Sequence, residues 1–164
     1  MRKKKEIVFT VIPALLAFVL SGCSQPYRYQ AADDEIKLLI RLDLDEDIGL
    51  LLIKYAANGT EGSGGMSNAN KSMIKRDDML DWTIDKKLLD IPEQTDVVDL
   101  TAGFTVVTEY VDPNYDDIYP EELQIPMDAI SLKAKFGESY FITIRGDKIN
   151  GYRAVLENSQ HSVI

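Results

Sequence analysis

Apolar and polar residues alternate with a period of two along much of this chain. Ile36, Leu38, Ile40, Leu42 and Leu44 are interleaved with Lys37, Leu39, Arg41, Asp43 and Asp45. That period belongs to a strand with one buried face. Residues 45–49 then punctuate the chain, and the apolar run 50–57 predicts a partner strand that forms a hairpin with the first. A shorter alternation covers 79–84, where Leu80, Trp82 and Ile84 face away from Asp81 and Thr83; a short helix over 75–89 is the competing reading. Further strands are expected over 97–100 and 104–111, joined near Ala102-Gly103, and over 129–135, 139–145 and 152–157. Phe136-Gly137-Glu138 and a segment ending in Asn150-Gly151 supply the last two turns.

The strands are short, and turn signals recur every eight to fifteen residues. The predicted fold class is therefore all-β: an immunoglobulin-like two-sheet sandwich of about seven to eight antiparallel strands. A true immunoglobulin domain is not indicated, because no Cys…Trp…Cys spacing is present. Two stretches interrupt the pattern. Residues 58–70 hold four glycines and read as the chain's main loop. Residues 112–126 are acidic, contain three prolines and read as a long connection.

The first 22 residues have a different character. Arg2 to Lys5 are basic, 7–20 contain no charged residue, and Ser21-Gly22 are small. These are the three parts of a secretory signal. An apolar run of 14 residues spans roughly 21 Å as a helix, short of the ~30 Å hydrocarbon core. The quartet Leu20-Ser21-Gly22-Cys23 resembles the lipobox of bacterial lipoproteins. The resemblance covers the first 23 residues and implies a targeting class rather than a functional family. It implies that Cys23 carries diacylglycerol, becomes the mature N-terminus and anchors the chain to the outside of the cell membrane. The expected organisation is a signal peptide over 1–22, a lipidated N-terminus and tether over 23–34, a β-sandwich domain over 35–157 and a frayed tail over 158–164.

Charge adds to this picture. The chain carries 18 basic and 27 acidic residues, a formal charge of −9. Four of the bases and one acid lie within 1–22, so the 142 residues that follow have 14 bases and 26 acids, a formal charge of −12. Such a surface repels nucleic acid, which is not expected as a partner. An envelope protein or a glycan fits better, beside the membrane reached through the lipid.

Candidate chemistry is sparse. Cys23 is the only cysteine, which leaves the domain no internal disulfide, thiol nucleophile or cysteine metal site. The only histidine, His161, lies four positions from the end of the chain, where a fixed partner is not expected. Gly62-Ser63-Gly64-Gly65 lacks the third glycine of a dinucleotide loop, and no cofactor is expected. The run Asp43-Leu44-Asp45-Glu46-Asp47 has the opening spacing of an EF-hand loop, but Ile48 stands where glycine is required and Lys54 where glutamate is required. Asp112, Asn114 and Asp116 repeat the spacing, and with Glu121 and Glu122 they are the nearest approach to a calcium cluster. Ligand binding is assigned to Ser63, Ser67, Asn68 and Asn70 of the glycine-rich stretch, with Tyr115 and Tyr119 of the acidic one. The expected function is a lipid-anchored, extracytoplasmic, non-catalytic binding or structural module. The alternative is a small envelope hydrolase using paired carboxylates.

Overall fold

A computed structural model describes residues 29–111 and 119–157. The fold is a β-sandwich. Nine strands run in chain order: β1 (Glu35–Leu44), β2 (Leu50–Ala57), β3 (Thr60–Met66), β4 (Met79–Asp85), β5 (Val97–Val107), β6 (Gln124–Pro126), β7 (Ile130–Lys135), β8 (Ser139–Asp147) and β9 (Gly151–Leu156). One sheet has the order β4-β1-β8-β9. The other has the order β3-β2-β5-β6, with β7 also paired to β5. The two-sheet, all-β expectation is met. The described strands number nine, and one neighbouring pair, β1 with β8, is parallel.

The alternation in β1 does what its period implies. Ile36, Leu38, Ile40, Leu42 and Leu44 all point into the core. They stand level with Ile84, Trp82 and Leu80 of β4 and with Tyr140, Ile142 and Ile144 of β8. Leu39 departs from the pattern. It lies on the outer face beside Phe141, yet only 1 % of it is exposed. From the second sheet, Ile53, Tyr55, Leu100, Ala102, Phe104 and Val106 complete the same core.

β1 and β2 do not form the expected hairpin; they belong to opposite sheets. The crossing is made over 45–49, where Ile48 bridges to Ile74 and the Gly49 N–H donates to the Val107 carbonyl at 2.8 Å. Gly49 is obligatory at this corner, since a Cβ there would lie 1.8 Å from the Glu109 carbonyl oxygen. The break expected at Ala102-Gly103 is also absent. β5 is one continuous strand, because Tyr55 and Lys54 of β2 pair across those two residues. Of the helix considered over 75–89, one 3-10 turn forms, Lys86–Leu89. Asp85 caps that turn by accepting from the Lys87 N–H at 2.7 Å.

The largest correction concerns 58–70. Its middle is strand β3, at the edge of the second sheet. Asn58 and Gly59 both have positive φ, 51° and 82°, and make the two-residue turn that pairs Ala57 with Thr60. The glycines of β3 are needed for packing. On the inner side, a Cβ at Gly62 would lie 2.3 Å from the Tyr55 ring, and one at Gly64 would lie 2.2 Å from the Trp82 ring. Tyr55 and Trp82 thus lie directly on the backbone of β3, with ring centres 6.5 Å apart and planes tilted by 56°.

The stretch expected to be a tether is partly attached to the domain. Ser139 Oγ donates to the Tyr29 carbonyl at 2.6 Å, the Glu35 N–H to the Ala32 carbonyl at 2.9 Å, and the Lys86 N–H to the Asp34 carbonyl at 2.9 Å. The chain therefore joins the sandwich at one end, here called the lower end. That end also holds the 136–138 turn, the Asn58-Gly59 turn and the Lys86–Leu89 turn. The upper end holds 45–49, 67–78, 108–111 with 119–123, and 148–150.

Candidate functional site

The outer face of the second sheet forms a concavity of about 450 Å³, lined by Lys54, Tyr55, Ala56, Glu61, Gly62, Ser63, Thr101, Gly103 and Ala129. Register explains how these residues meet. Lys54 of β2 stands between Ser63 of β3 and Gly103 of β5. In the next row down, Ala56 stands between Glu61 and Thr101, and Thr101 faces Ser131 of β7. The Thr101 and Ser131 hydroxyls are 3.2 Å apart. The floor is low because Ala56, Gly103 and Ala129 carry little or no side chain. Farther toward the upper end the same face is covered: Leu50 and Val107 are buried where 108–111 folds back, with the Thr108 N–H donating to the Leu123 carbonyl at 3.0 Å. Lys54 and Glu61 place one positive and one negative charge at the β2–β3 side. Among the described residues neither forms an ion pair.

The residues predicted from sequence are dispersed by the fold. Ser63 lines the concavity. Ser67, Asn68 and Asn70 lie beyond it, after β3 at the upper end. There Asn68 Nδ2 donates to Ser72 Oγ at 3.1 Å and to the Met73 carbonyl at 2.9 Å, and Asn70 Oδ1 accepts from the Ser72 N–H at 3.0 Å. Those amides shape the turn that leads to Ile74. Tyr119 precedes β6, and its carbonyl accepts from Gln124 Nε2 at 2.8 Å. Met66, Leu51, Val106 and Ile125 share one row across the sheet. Three strand spacings, about 14 Å, therefore separate the end of β3 from β6. Tyr115, the calcium candidates Asp112, Asn114 and Asp116, His161 and Cys23 lie outside the described residues. Among those described, no group of three or more His, Cys, Asp or Glu is placed to hold a metal ion.

Sequence reasoning missed Lys54, Glu61, Thr101, Gly103 and Ala129. The dipeptide Asn58-Gly59 was the available signal. As a hairpin turn it pairs β2 with β3 and brings Lys54, Glu61 and Ser63 onto one face. Thr101, Gly103 and Ala129 had no comparable signal, because only long-range pairing brings β5 and the start of β7 alongside.

Several acids at the upper end are occupied. Asp43 accepts from Arg145 Nε at 2.9 Å, and Glu46 from the Lys148 N–H at 2.8 Å and from the Tyr152 hydroxyl. Burial, reinforced by Glu46, drives the Tyr152 phenol well above its ordinary range. Asp47 contacts Lys75 Nζ at 2.6 Å and the Arg76 N–H at 3.1 Å. The Lys75 bond, then the Arg76 bond, holds Asp47 below its usual 3.8. Asp147 is lowered by the Asn150 side chain and by the backbone N–H groups of Asn150 and Ile149. A general acid requires a shift in the other direction. A Ser-x-x-Lys spacing is present at Ser72–Lys75, in which a lysine amine can activate a serine. Here Ser72 Oγ bonds to Asn70 Oδ1 at 2.7 Å, and contact with Asp47 raises the Lys75 ammonium above 10.5. That shift disfavours the free amine a base would need.

The Asp47 contact has a pH signature. Its folded carboxyl titrates below the unfolded value, so its contribution is fully present above about pH 5 and is lost as pH falls through the folded value, below 3.8. Lys75 is exposed and Asp47 only half-buried, so the effect is small. The urea midpoint is expected to fall between pH 6 and pH 3, and to fall less in Asp47→Asn. Equal falls in the two proteins would assign the acid sensitivity to other groups.

No family model matches the sequence, and no curated protein matches it. Among solved structures, the membrane-binding domain of pneumolysin is similar over 77% of this chain and 99% of that domain, at 8% identity and a TM-score of 0.37. Listeriolysin O is similar over 75% of this chain and 22% of its own length, at 10% identity and a TM-score of 0.34. A non-hemolytic pneumolysin from Streptococcus pneumoniae strain ST306 is similar over 76% of this chain and 24% of its own, at 10% identity and a TM-score of 0.36. This chain thus spans about a quarter of the length of the two whole toxins. At these scores the likeness carries no argument about what this chain does.

Proposed function

We propose that this chain is a lipid-anchored, extracytoplasmic binding module of the bacterial envelope, held to the cell membrane through Cys23. The observation that carries the reading is the order of basic segment, apolar run, small pair and cysteine over residues 2–23. The attachment of Tyr29 to Ser139 bounds its geometry. Six residue steps separate Cys23 from Tyr29, so the lower end of the sandwich stands no more than about 21 Å from the lipidated residue. The domain is then held close to the bilayer. Its binding surface is the outer face of the second sheet, where Lys54 and Glu61 flank an open concavity.

Durable attachment requires at least two acyl chains, since one alone binds a membrane marginally and each buried methylene contributes about 0.8 kcal/mol. Cys23→Ser removes the thioether and with it every chain. In a bacterial host, the wild-type protein is expected to incorporate labelled palmitate and sediment with membranes. Cys23→Ser is expected to lose the label and either appear in the soluble fraction or accumulate unprocessed. Retained palmitate and unchanged sedimentation in the variant would overturn the anchor.

A further inference from the structure

The concavity on the second sheet contains a glycine that the fold does not use. Gly59, Gly137, Gly146 and Gly151 have left-handed φ, between 82° and 120°. Gly49, Gly62 and Gly64 lie against a carbonyl or a ring, and a Cβ at Gly65 would lie 3.1 Å from the tip of Leu52. Gly103 alone among the described glycines has neither a left-handed φ nor an atom closer than ordinary contact to where a Cβ would stand. Its φ is not left-handed, and a Cβ would find Ala129 Cβ at 3.8 Å and the Lys54 carbonyl at 3.9 Å, which is ordinary contact. A glycine in the interior of a central strand weakens that strand, and one of the uses that keeps a glycine there is close approach of a ligand to the backbone.

Gly103 forms the middle of the concavity's floor. Ala56 and Ala129 flank it without closing the space. The charged groups stand on one side only. Lys54 and Glu61 occupy diagonal positions on β2 and β3, some 7–8 Å apart at the backbone. Ser63 adds a hydroxyl level with Lys54, and Thr101 adds one level with Glu61. A ligand with a single charge would leave the opposite protein charge unanswered and facing it. A ligand with both charges a few ångströms apart satisfies both.

We propose that this concavity binds a small zwitterion of the α-amino-acid type. Its carboxylate meets the Lys54 ammonium, its ammonium is drawn to the Glu61 carboxylate, and its carbon skeleton lies toward Gly103. This deepens the binding-module reading by naming the site and the ligand class. An open site with two charge contacts corresponds to millimolar dissociation constants.

The test uses the full chain in a nonionic detergent, titrated with L-alanine, N-acetyl-L-alanine and L-alaninamide and followed by amide chemical shifts. L-alanine is expected to saturate, with shifts centred on residues 54, 61–63 and 101–103. N-acetylalanine retains only the carboxylate and alaninamide only the ammonium; each is expected to bind at least about tenfold more weakly. Gly103→Val fills the floor and should abolish binding while the melting temperature holds or rises. Lys54→Gln, which leaves the floor intact, should weaken L-alanine about tenfold if the valine variant does not fold. The proposal is overturned by absence of saturable L-alanine binding, by equal affinity for a singly charged analogue, or by unchanged binding in a folded Gly103→Val. Membrane sedimentation of the same variants reads the anchor separately, so loss of this site with attachment intact removes the ligand assignment alone.

Discussion

Gly64→Val is expected to destabilise the domain by about 3 kcal/mol, although it replaces a poor strand former with one of the best. The reason is the Trp82 ring. A Cβ at Gly64 would lie 2.2 Å from one ring atom and 3.0 Å and 3.2 Å from two others. Trp82 cannot yield easily, because its own strand is held level with Leu38 of β1. Gly65, one residue on, faces outward, where a Cβ would meet only the tip of Leu52 at 3.1 Å. Gly65→Val is therefore expected to stay within about 1 kcal/mol of the parent, the range of strand propensity alone. Urea midpoints of the two variants, read at constant slope, separate the cases. If both valines raise stability equally, β3 does not lie beneath the tryptophan.

Phe104→Ala is expected to cost about 3–5 kcal/mol, the usual range for truncating a fully buried phenylalanine. Phe104 is 2 % exposed, points inward from the middle of β5 and stands level with Ile53 of β2. It is among the largest fully buried side chains of the domain. Its neighbours lie on paired strands of both sheets, so the void cannot collapse without moving backbone. Folded domains of this size hold about 5–15 kcal/mol in total. The variant should therefore show a large drop in urea midpoint and a measurable unfolded fraction at 37 °C. A drop below about 1 kcal/mol would show that Phe104 does not occupy the centre of the core.

The two glycine-rich features of the concavity face have different causes. In β3, Gly62 and Gly64 are required by the aromatic rings of Tyr55 and Trp82. Glycine-rich composition suggests an adaptable loop, and only the position of the rings reveals a packed edge strand. In β5 a Cβ at Gly103 would meet only ordinary contacts. The two cases share a residue type and are separated by what lies within 4 Å of the absent side chain.

Local pattern carried much of the fold. The strands β1, β2, β4, β7, β8 and β9 follow from apolar alternation, which reports a buried face directly, and from turn residues at 136–138 and 148–150. The sandwich class follows from their number and spacing. The targeting expectation at Cys23 is likewise a property of consecutive residues, and it needs no tertiary structure to be read. Alternation says which face of a strand is buried, but not which strand lies beside it. Assigning β1 and β2 to different sheets, placing β8 parallel to β1 and burying Leu39 on an outer face all depend on contacts far apart in sequence. The concavity depends on them in the same way. Lys54, Glu61, Thr101, Gly103 and Ala129 come from four segments spread over 76 positions, and none is distinctive alone. The chain's local chemistry therefore determined that it makes strands, and the expectation of an export signal rests on it alone. Long-range pairing decided which of those strands became neighbours, and with that which side chains line the concavity together.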